Sequence, residues 1–501
     1  MPKQSGAKTG ASNTGSITFV HTSDWQLGKP FAGIADPAKR ARVQQERFEV
    51  IRRIGAVVRD RQARFVVVAG DIFDSPTPAR ATISAALGAI AELGVPVYAI
   101  PGNHDHAGPD SVWENAFYLR ERERVAPNFH LLVTPTATVV DLSDREKGPG
   151  GDVSGDIQRV ALLSCPLLRR HQATDPTAWI RSFDFSAVGE IPRIAIAHGS
   201  TTVFASSGQR DDDGEVVGPA NTIALDRLPI EQEIDFIALG DWHGFSPVGF
   251  KAWYSGTPET DRFPKAGQEP GHVACVIVSR GGPPLVETIR TGRFRWLTHT
   301  IALDAVAESE FGTPAVASGD GGASAGANTG IATGVATSVA TDGVPESRGP
   351  AYLDAWLTQA THPTAEGEPG FDGSLARITV TGTVSLAGRQ ELDRIIESWD
   401  ARLLRLDFAD AVQITPTADE IHDLAERPGD PIISRVAEEL VQQLEAGGPQ
   451  AEIDVIRQAI FMLHALAHPE SSHRCDHSQR PVPKASRQSE TTSSLPAGAT
   501  N

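Results

Sequence analysis

The chain has 501 residues, 40% of them hydrophobic, enough to bury more than one core. Its 45 Lys and Arg stand against 63 Asp and Glu, a formal net charge of −18, which excludes a protein that holds nucleic acid by overall positive charge. The polar N-terminus (MPKQSGAKTGASNTGS) lacks the apolar core of a secretion signal. No apolar run approaches bilayer length, and three cysteines (Cys165, Cys275, Cys475) cannot build a disulfide framework, so a soluble, cytoplasmic protein without membrane contact is expected.

Residues 1–16 are expected to be disordered. From Ile17 to about Arg290, short apolar runs alternate with helical patterns: ITFV (17–20), FVVVA (65–69), VYAI (97–100), VALLS (160–164), IAIA (194–197), FIAL (236–239) and VACVIV (273–278). Such runs read as buried strands of an α/β unit, 17–290. An amphipathic helix is predicted over Pro37 to Arg64, with Phe48, Ile51, Ile54 and Val58 on its buried face. A smaller unit, 291–415, holds strands at 293–303 and 375–386 and helices at 352–360 and 389–399. A Gly/Ala/Ser/Thr-rich insert, about 312–350, interrupts it and reads as a flexible loop. The segment 416–468 carries two helices, about 431–446 and 450–467. The tail, 469–501, is expected to be disordered, and its His473, Cys475 and His477 read as an incidental cluster.

Several strands end directly in metal-type ligands. SDWQLG (23–28), GDIFD (70–74), PGNHD (101–105), AHGS (197–200) and GDWHG (240–244) place Asp24, Asp71, Asn103, His104, His198, Asp241 and His243 at successive strand ends. In a parallel sheet these ends share one edge, so the side chains are expected to converge. Singly, each segment is a common turn. Together they suit two divalent ions that clamp a phosphate and activate a water, with an unliganded His to protonate the leaving oxygen.

At these residues the chain resembles the calcineurin-like metallophosphoesterases, and more closely the SbcD-type nuclease subunits of double-strand-break repair. TSDWQLGKPF, GDIFDSPTP, IPGNHD, AHGS and ALGDWHG…YSGTPE follow that family's order across residues 17 to about 300. The resemblance implies a four-layer α/β/β/α sandwich with a smaller α+β capping domain and C-terminal helices. It implies that Asp71 bridges two metals, Asp24 and His243 hold the first, and Asn103, His198 and Asp241 hold the second. His104 would act at the leaving group, oriented by Asp105. It also implies DNA as substrate, a coiled-coil ATPase of the SMC/ABC type as partner, and a homodimer.

Two positions depart from the family pattern. Gln26 stands where Asp-x-His is usual, and Asp241 where Gly-His-x-His is usual. Both can offer oxygen, so both are kept as candidate metal ligands, and an oxygen-richer site favours Mn²⁺, with Mg²⁺ second. No GxxxxGK[ST] loop occurs, so any ATPase is a separate chain. A basic stretch from Lys39 to Arg64, Arg47 included, is either a phosphate-contacting face or a solvated helix face paired with Glu46, Glu49 and Asp60. Trp25, Phe31 and Trp242 could stack on a base or pack in the core. The leading reading is a metal-dependent DNA exo/endonuclease. The alternatives are a phosphodiesterase for nucleotides or small phosphoesters, which suits the acidic charge, and a catalytically weak scaffold.

Overall fold

The computed structural model describes residues 15–142, 159–201, 220–265, 267–304, 349–363, 370–427 and 429–467. The N-terminus up to residue 14, nearly all of the 312–350 insert, and the 469–501 tail with its His473, Cys475 and His477 lie outside the described residues.

Elements are numbered in chain order. The strands are β1 (Ile17–Thr22), β2 (Val66–Ala69), β3 (Val97–Ile100), β4 (Phe129–Leu131), β5 (Thr136–Asp141), β6 (Arg159–Cys165), β7 (Arg193–His198), β8 (Phe236–Gly240), β9 (Ser246–Pro247) and β10 (Ala252–Tyr254). They continue as β11 (His272–Val278), β12 (Leu285–Arg290), β13 (Arg295–Leu303), β14 (Ser374–Val384) and β15 (Arg405–Ile414). The helices are α1 (Pro37–Asp60), α2 (Arg80–Glu92), α3 (Ala116–Val125), α4 (Ile230–Glu233), α5 (Pro350–Ala360), α6 (Leu386–Arg402), α7 (Ala418–Ala425), α8 (Pro431–Ala446) and α9 (Gln450–Ala467).

Two six-stranded sheets, ordered β12-β11-β1-β2-β3-β4 and β5-β6-β7-β8-β10-β9, form the larger unit. β1 to β4 run parallel, as do β6, β7, β8 and β10, with antiparallel strands only at the margins. Central parallel strands are covered on both faces, which is why they read as unbroken apolar runs. Between the sheets, Phe19, Val67, Tyr98 and Ile100 pack against Leu162, Ile194, Ile196 and Phe236.

On the outer face of the first sheet lie α1, α2 and α3, whose Ile51, Ile54, Ile83, Leu87 and Tyr118 meet Val20, Val66 and Val68. On the outer face of the second, α4 and short 3-10 turns supply Ile180, Leu228 and Ile234. This is the expected α/β/β/α layering. α1 begins sharply because Asp36 caps the N–H groups of Ala38 and Lys39 and Pro37 occupies the first turn. It ends at Asp60, earlier than predicted, because Gln62 adopts φ +51°. Ile51, Ile54 and Val58 are buried as expected, and Phe48 sits at the margin of the same core.

A three-stranded parallel sheet, β13-β14-β15, follows. α5 and α6 cover it through Leu353, Leu357, Leu392, Ile396 and Trp399. β15 (RLDFADAVQI) is not among the predicted strands; its Asp407 and Asp410 break the apolar signal, and they pair with Arg405, Arg377 and Arg389. Phe31, Ile34 and Val43 meet Phe263, Phe294, Leu375 and Leu404 where this sheet joins the larger unit. α7, α8 and α9 pack together through Leu424, Ala437 and Ile460 and onto Leu386 of α6. Among the described residues, no helix is long and apolar enough to cross a membrane.

Candidate metal centre

The C-terminal ends of β1, β2, β3, β7 and β8 open on the same edge of the sandwich, and each delivers a ligand-type side chain. The turns that do so are tight. Asp24, Gln26, Asp71 and Asp241 all have positive φ (54°, 42°, 55° and 102°), a conformation costly for non-glycine residues and concentrated at functional sites. Glycines make the close approach possible: a Cβ on Gly102 would lie 2.1 Å from Asp71 Oδ1, and one on Gly70 would lie 2.2 Å from His198 Nδ1.

Asp24, Asp71 and His198 are buried and offer ligand atoms that all lie within 4.8 Å of one another. His198 is the centre of one half of the cluster. Its Nδ1 faces the Ala69 carbonyl at 2.8 Å, which leaves Nε2 directed at Asn103 Oδ1 (2.8 Å), Asp71 Oδ2 (3.6 Å) and Asp241 Oδ1 (3.9 Å). In the other half, His243 Nε2 lies 3.9 Å from Asp24 Oδ1, and its Nδ1 meets Asp261 Oδ1 at 3.1 Å. A carboxylate behind the imidazole is the usual arrangement for orienting a metal-binding histidine.

The electrostatics fit a cation. Burial pushes the Asp24 carboxyl above its ordinary range despite the neighbouring His243 and His198. Asp71 lies below its ordinary range; burial works against this, but the charges of His198 and His104 outweigh it. Burial also opposes a charge on His198, yet Asp71, Asp24 and Asp241 raise it to about 9. Carboxylates that draw a proton onto a buried imidazole would be satisfied equally by a divalent ion.

His104 stands beside this cluster. Its backbone N–H donates to Asp71 Oδ1 at 3.0 Å, and its Nδ1 faces the Asp74 carbonyl. Asp105 does not orient the ring as expected. One carboxylate oxygen accepts from Gly102 N (2.7 Å) and the other from Ile72 N (2.8 Å) and Phe73 N (3.1 Å), while its own carbonyl accepts from Trp113 Nε1. Asp105 therefore ties the Asp71 loop to the Asn103 loop, and the backbone of Asp74 takes the orienting role.

Gln26 also departs from expectation. Its Oε1 accepts from Lys29 Nζ at 3.0 Å, and its Nε2 faces His243 Nε2 at 3.4 Å. The oxygen that would ligate is thus turned to Lys29. Asp241 keeps its carboxylate at the cluster, with Oδ2 accepting from Ser200 Oγ at 2.8 Å.

Arginines of the basic stretch have partners within the chain. Arg47 is buried and donates to the carbonyls of Asp24, Trp25 and Glu259, holding the first ligand loop from behind. Arg52 pairs with Glu49 and Glu92, Arg53 with Glu46 and Glu259, and Arg61 with Glu287. Trp25 and Phe31 are buried, and Trp242 packs on the outer core of the second sheet. Ser23, Lys29, Ser200 and Asp261 complete the site unforeseen. Lys29 lies within the TSDWQLGKPF motif, but a pairing across 232 residues with Asp261 leaves no local signal.

A buried cluster of carboxylates and imidazoles at one edge of a double-sheet α/β sandwich is a group that could hold a metal ion. Residues 17–245 match the calcineurin-like phosphoesterase family, and this part of the chain is a calcineurin-like metallophosphoesterase domain. The chain is 27% identical over 305 residues to the SbcD component of the nuclease SbcCD from Bacillus subtilis (strain 168), covering 53% of this chain and 71% of that protein. It is 36% identical over 98 residues to "Uncharacterized metallophosphoesterase YhaO" of the same organism, covering 18% of this chain and 24% of that protein.

Proposed function

We propose that this protein is a two-metal DNA exo/endonuclease of the cytoplasm that works with a separate SMC-type ATPase. The observation that carries the reading is the convergence of Asp24, Asp71 and His198 within 4.8 Å, flanked by Asn103, Asp241 and His243. Asp71 would bridge the two ions, Asp24 and His243 would hold the first, and Asn103, His198 and Asp241 the second. The donor set fits such a pair, and Mn²⁺ suits its oxygen content better than late transition metals do. When bound, the ions supply Lewis acidity toward phosphate and a nucleophile at neutral pH. The chain's own residues do the rest. Asp105 and Arg47 fix the ligand loops, and His104, with Nδ1 held by Asp74, presents Nε2 to protonate the departing oxygen.

The nuclease assignment rests on the likeness to the SbcD component of SbcCD. In this reading residues 17–290 form the nuclease domain, 291–415 a cap that guides DNA, and 416–468 the ATPase-binding segment. A rival reading, a phosphodiesterase for nucleotides or other small phosphoesters, is favoured by the net charge of −18 and by the pairing of Arg52, Arg53 and Arg61 within the chain. The deciding experiment compares Mn²⁺-dependent cleavage of linear duplex DNA with that of a small chromogenic phosphodiester. Preferred turnover of DNA supports the nuclease; activity confined to the small ester establishes the rival, and loss of both at full metal occupancy indicates a scaffold.

A further inference from the structure

Position 26 carries an amide whose orientation is fixed by its neighbours. Lys29 Nζ donates to Gln26 Oε1 at 3.0 Å and to Asp261 Oδ2 at 2.8 Å. An ammonium has only protons to offer, so the atom facing Lys29 is the amide oxygen and the atom facing the metal cluster is the NH₂ group. That nitrogen lies 3.4 Å from His243 Nε2. Asp261 sets the other side of the contact: it accepts from His243 Nδ1 at 3.1 Å, so in the neutral imidazole Nε2 carries the lone pair that the Gln26 amide approaches. The backbone is held as well, with Gln26 N donating to the Asp71 carbonyl at 2.9 Å. Lys29 and Asp261 are nearly enclosed, with side chains 12% and 1% exposed, so this ion pair is a built part of the site and not a surface contact.

An amide nitrogen shares its lone pair with the carbonyl and is not a ligand for a divalent ion. Its N–H groups are, however, good donors to an anionic oxygen. Once His243 Nε2 turns its lone pair to a metal, the amide protons need another acceptor, and a phosphate held by the same metal offers one.

We infer that Gln26 is a substrate-phosphate donor and not a metal ligand, with Lys29 and Asp261 as the positioning residues that hold its NH₂ toward the site. The inference rests on the two-metal reading above. It leaves the first metal position with Asp24, His243 and the shared Asp71, against Asn103, His198, Asp241 and Asp71 at the second. The first position should therefore fill at the higher Mn²⁺ concentration.

The test is calorimetric and independent of turnover. Metal-depleted full-length protein is titrated with Mn²⁺, and the loaded protein is then titrated with inorganic phosphate, for wild type, Gln26→Met and Gln26→Glu. Gln26→Met should leave both Mn²⁺ affinities within about threefold and weaken phosphate about tenfold or more, as expected for one lost hydrogen bond to a charged group. Gln26→Glu keeps an acceptor for Lys29 but places a carboxylate oxygen where the NH₂ stood, so it should tighten the weaker Mn²⁺ site and weaken phosphate. Loss of a Mn²⁺ ion in Gln26→Met, or unchanged phosphate binding in it, overturns the inference. If Gln26→Met does not fold, unchanged Mn²⁺ and phosphate affinities in Gln26→Glu overturn it alone. Wild type that takes up no Mn²⁺ overturns the two-metal reading itself, and this inference with it.

Discussion

His104 Nδ1 lies 3.0 Å from the backbone carbonyl of Asp74. A carbonyl only accepts, so Nδ1 carries a proton and the ring is held with Nε2 as its working atom. Burial opposes a charge on this imidazole, but Asp71 and Asp74 outweigh it and raise its pKa above the ordinary histidine value, which suits a group that must donate a proton near neutrality. His104→Ala should retain Mn²⁺ and lose roughly 10²–10⁴-fold in turnover of a substrate with a poor leaving group. Asp71→Ala should lose the metal instead, because in the proposed site this one carboxylate would serve both ions. Wild-type turnover in His104→Ala would sink the role assigned here.

Arg47 and Arg52 share a helix and separate two meanings of a basic residue. Arg47→Met strands the buried carbonyl of Trp25 and removes one of two donors from those of Asp24 and Glu259, which keep Thr257 Oγ1; a buried carbonyl left unsatisfied costs about 1–3 kcal/mol. We expect a loss of about 2 kcal/mol or more in urea unfolding together with weakened Mn²⁺ binding. Arg52→Ala breaks two exposed pairs, with Glu49 and Glu92, and should change stability by less than about 1 kcal/mol. Equal effects from the two variants would contradict the structure.

His21 supplies a pH test away from the ligands. It lies fully buried between the sheets with Nε2 at 3.2 Å from the Leu239 carbonyl, and burial lowers its pKa to about 3, the hydrogen bond to Leu239 only partly opposing this. The folded pKa is below the unfolded value of about 6.5, so the unfolded chain binds more protons between them. Stability from keeping His21 neutral is therefore complete above about pH 6.5 and declines as pH falls toward about 3, by at most about 1.4 kcal/mol per pH unit. His21→Gln should flatten that acid limb in unfolding measured from pH 7 to 5. An unchanged slope would show that another group controls it.

The proposed ligand set should govern metal preference. With Asp241 as a carboxylate and Gln26 withdrawn, the site offers two imidazoles, His198 and His243, among oxygen donors. Activity is expected with Mn²⁺, partly with Mg²⁺, and with an alkaline optimum. The double variant Gln26→His with Asp241→His should bind Zn²⁺ or Ni²⁺ more tightly and move the optimum downward. Tighter Zn²⁺ retention by wild type than by the variant would reverse the argument.

The C-terminal helices pose a question of packing against docking. α8 and α9 bury Ala437 and Ile460, whereas Ile432, Val436, Val455, Met462 and Leu466 remain exposed. A chain ending at Asp430 should keep Mn²⁺-dependent cleavage and fail to co-purify with the ATPase partner proposed above. Aggregation of the shortened chain, traced to uncovered Leu386 and Ile414, would show that these helices belong to the core.

Local chemistry dictated much of this protein. Apolar runs that must be covered on both faces mark the parallel strands, a fixed strand direction places their ends at one edge, and Asp, Asn and His after small residues mark the ligand loops. Side-chain roles set by distant neighbours were beyond its reach. Arg47 reads as a surface cation until Glu259 and the Asp24 loop close over it. Asp105 reads as the partner of His104 until the N–H groups of Ile72 and Phe73 claim its carboxylate. Gln26 reads as an oxygen ligand until Lys29 and Asp261, 232 residues apart, turn its amide. A strand or a turn is encoded by the covalent geometry of adjacent residues. The direction in which a buried polar group donates or accepts is decided only by which other groups the fold brings within about 3 Å of it.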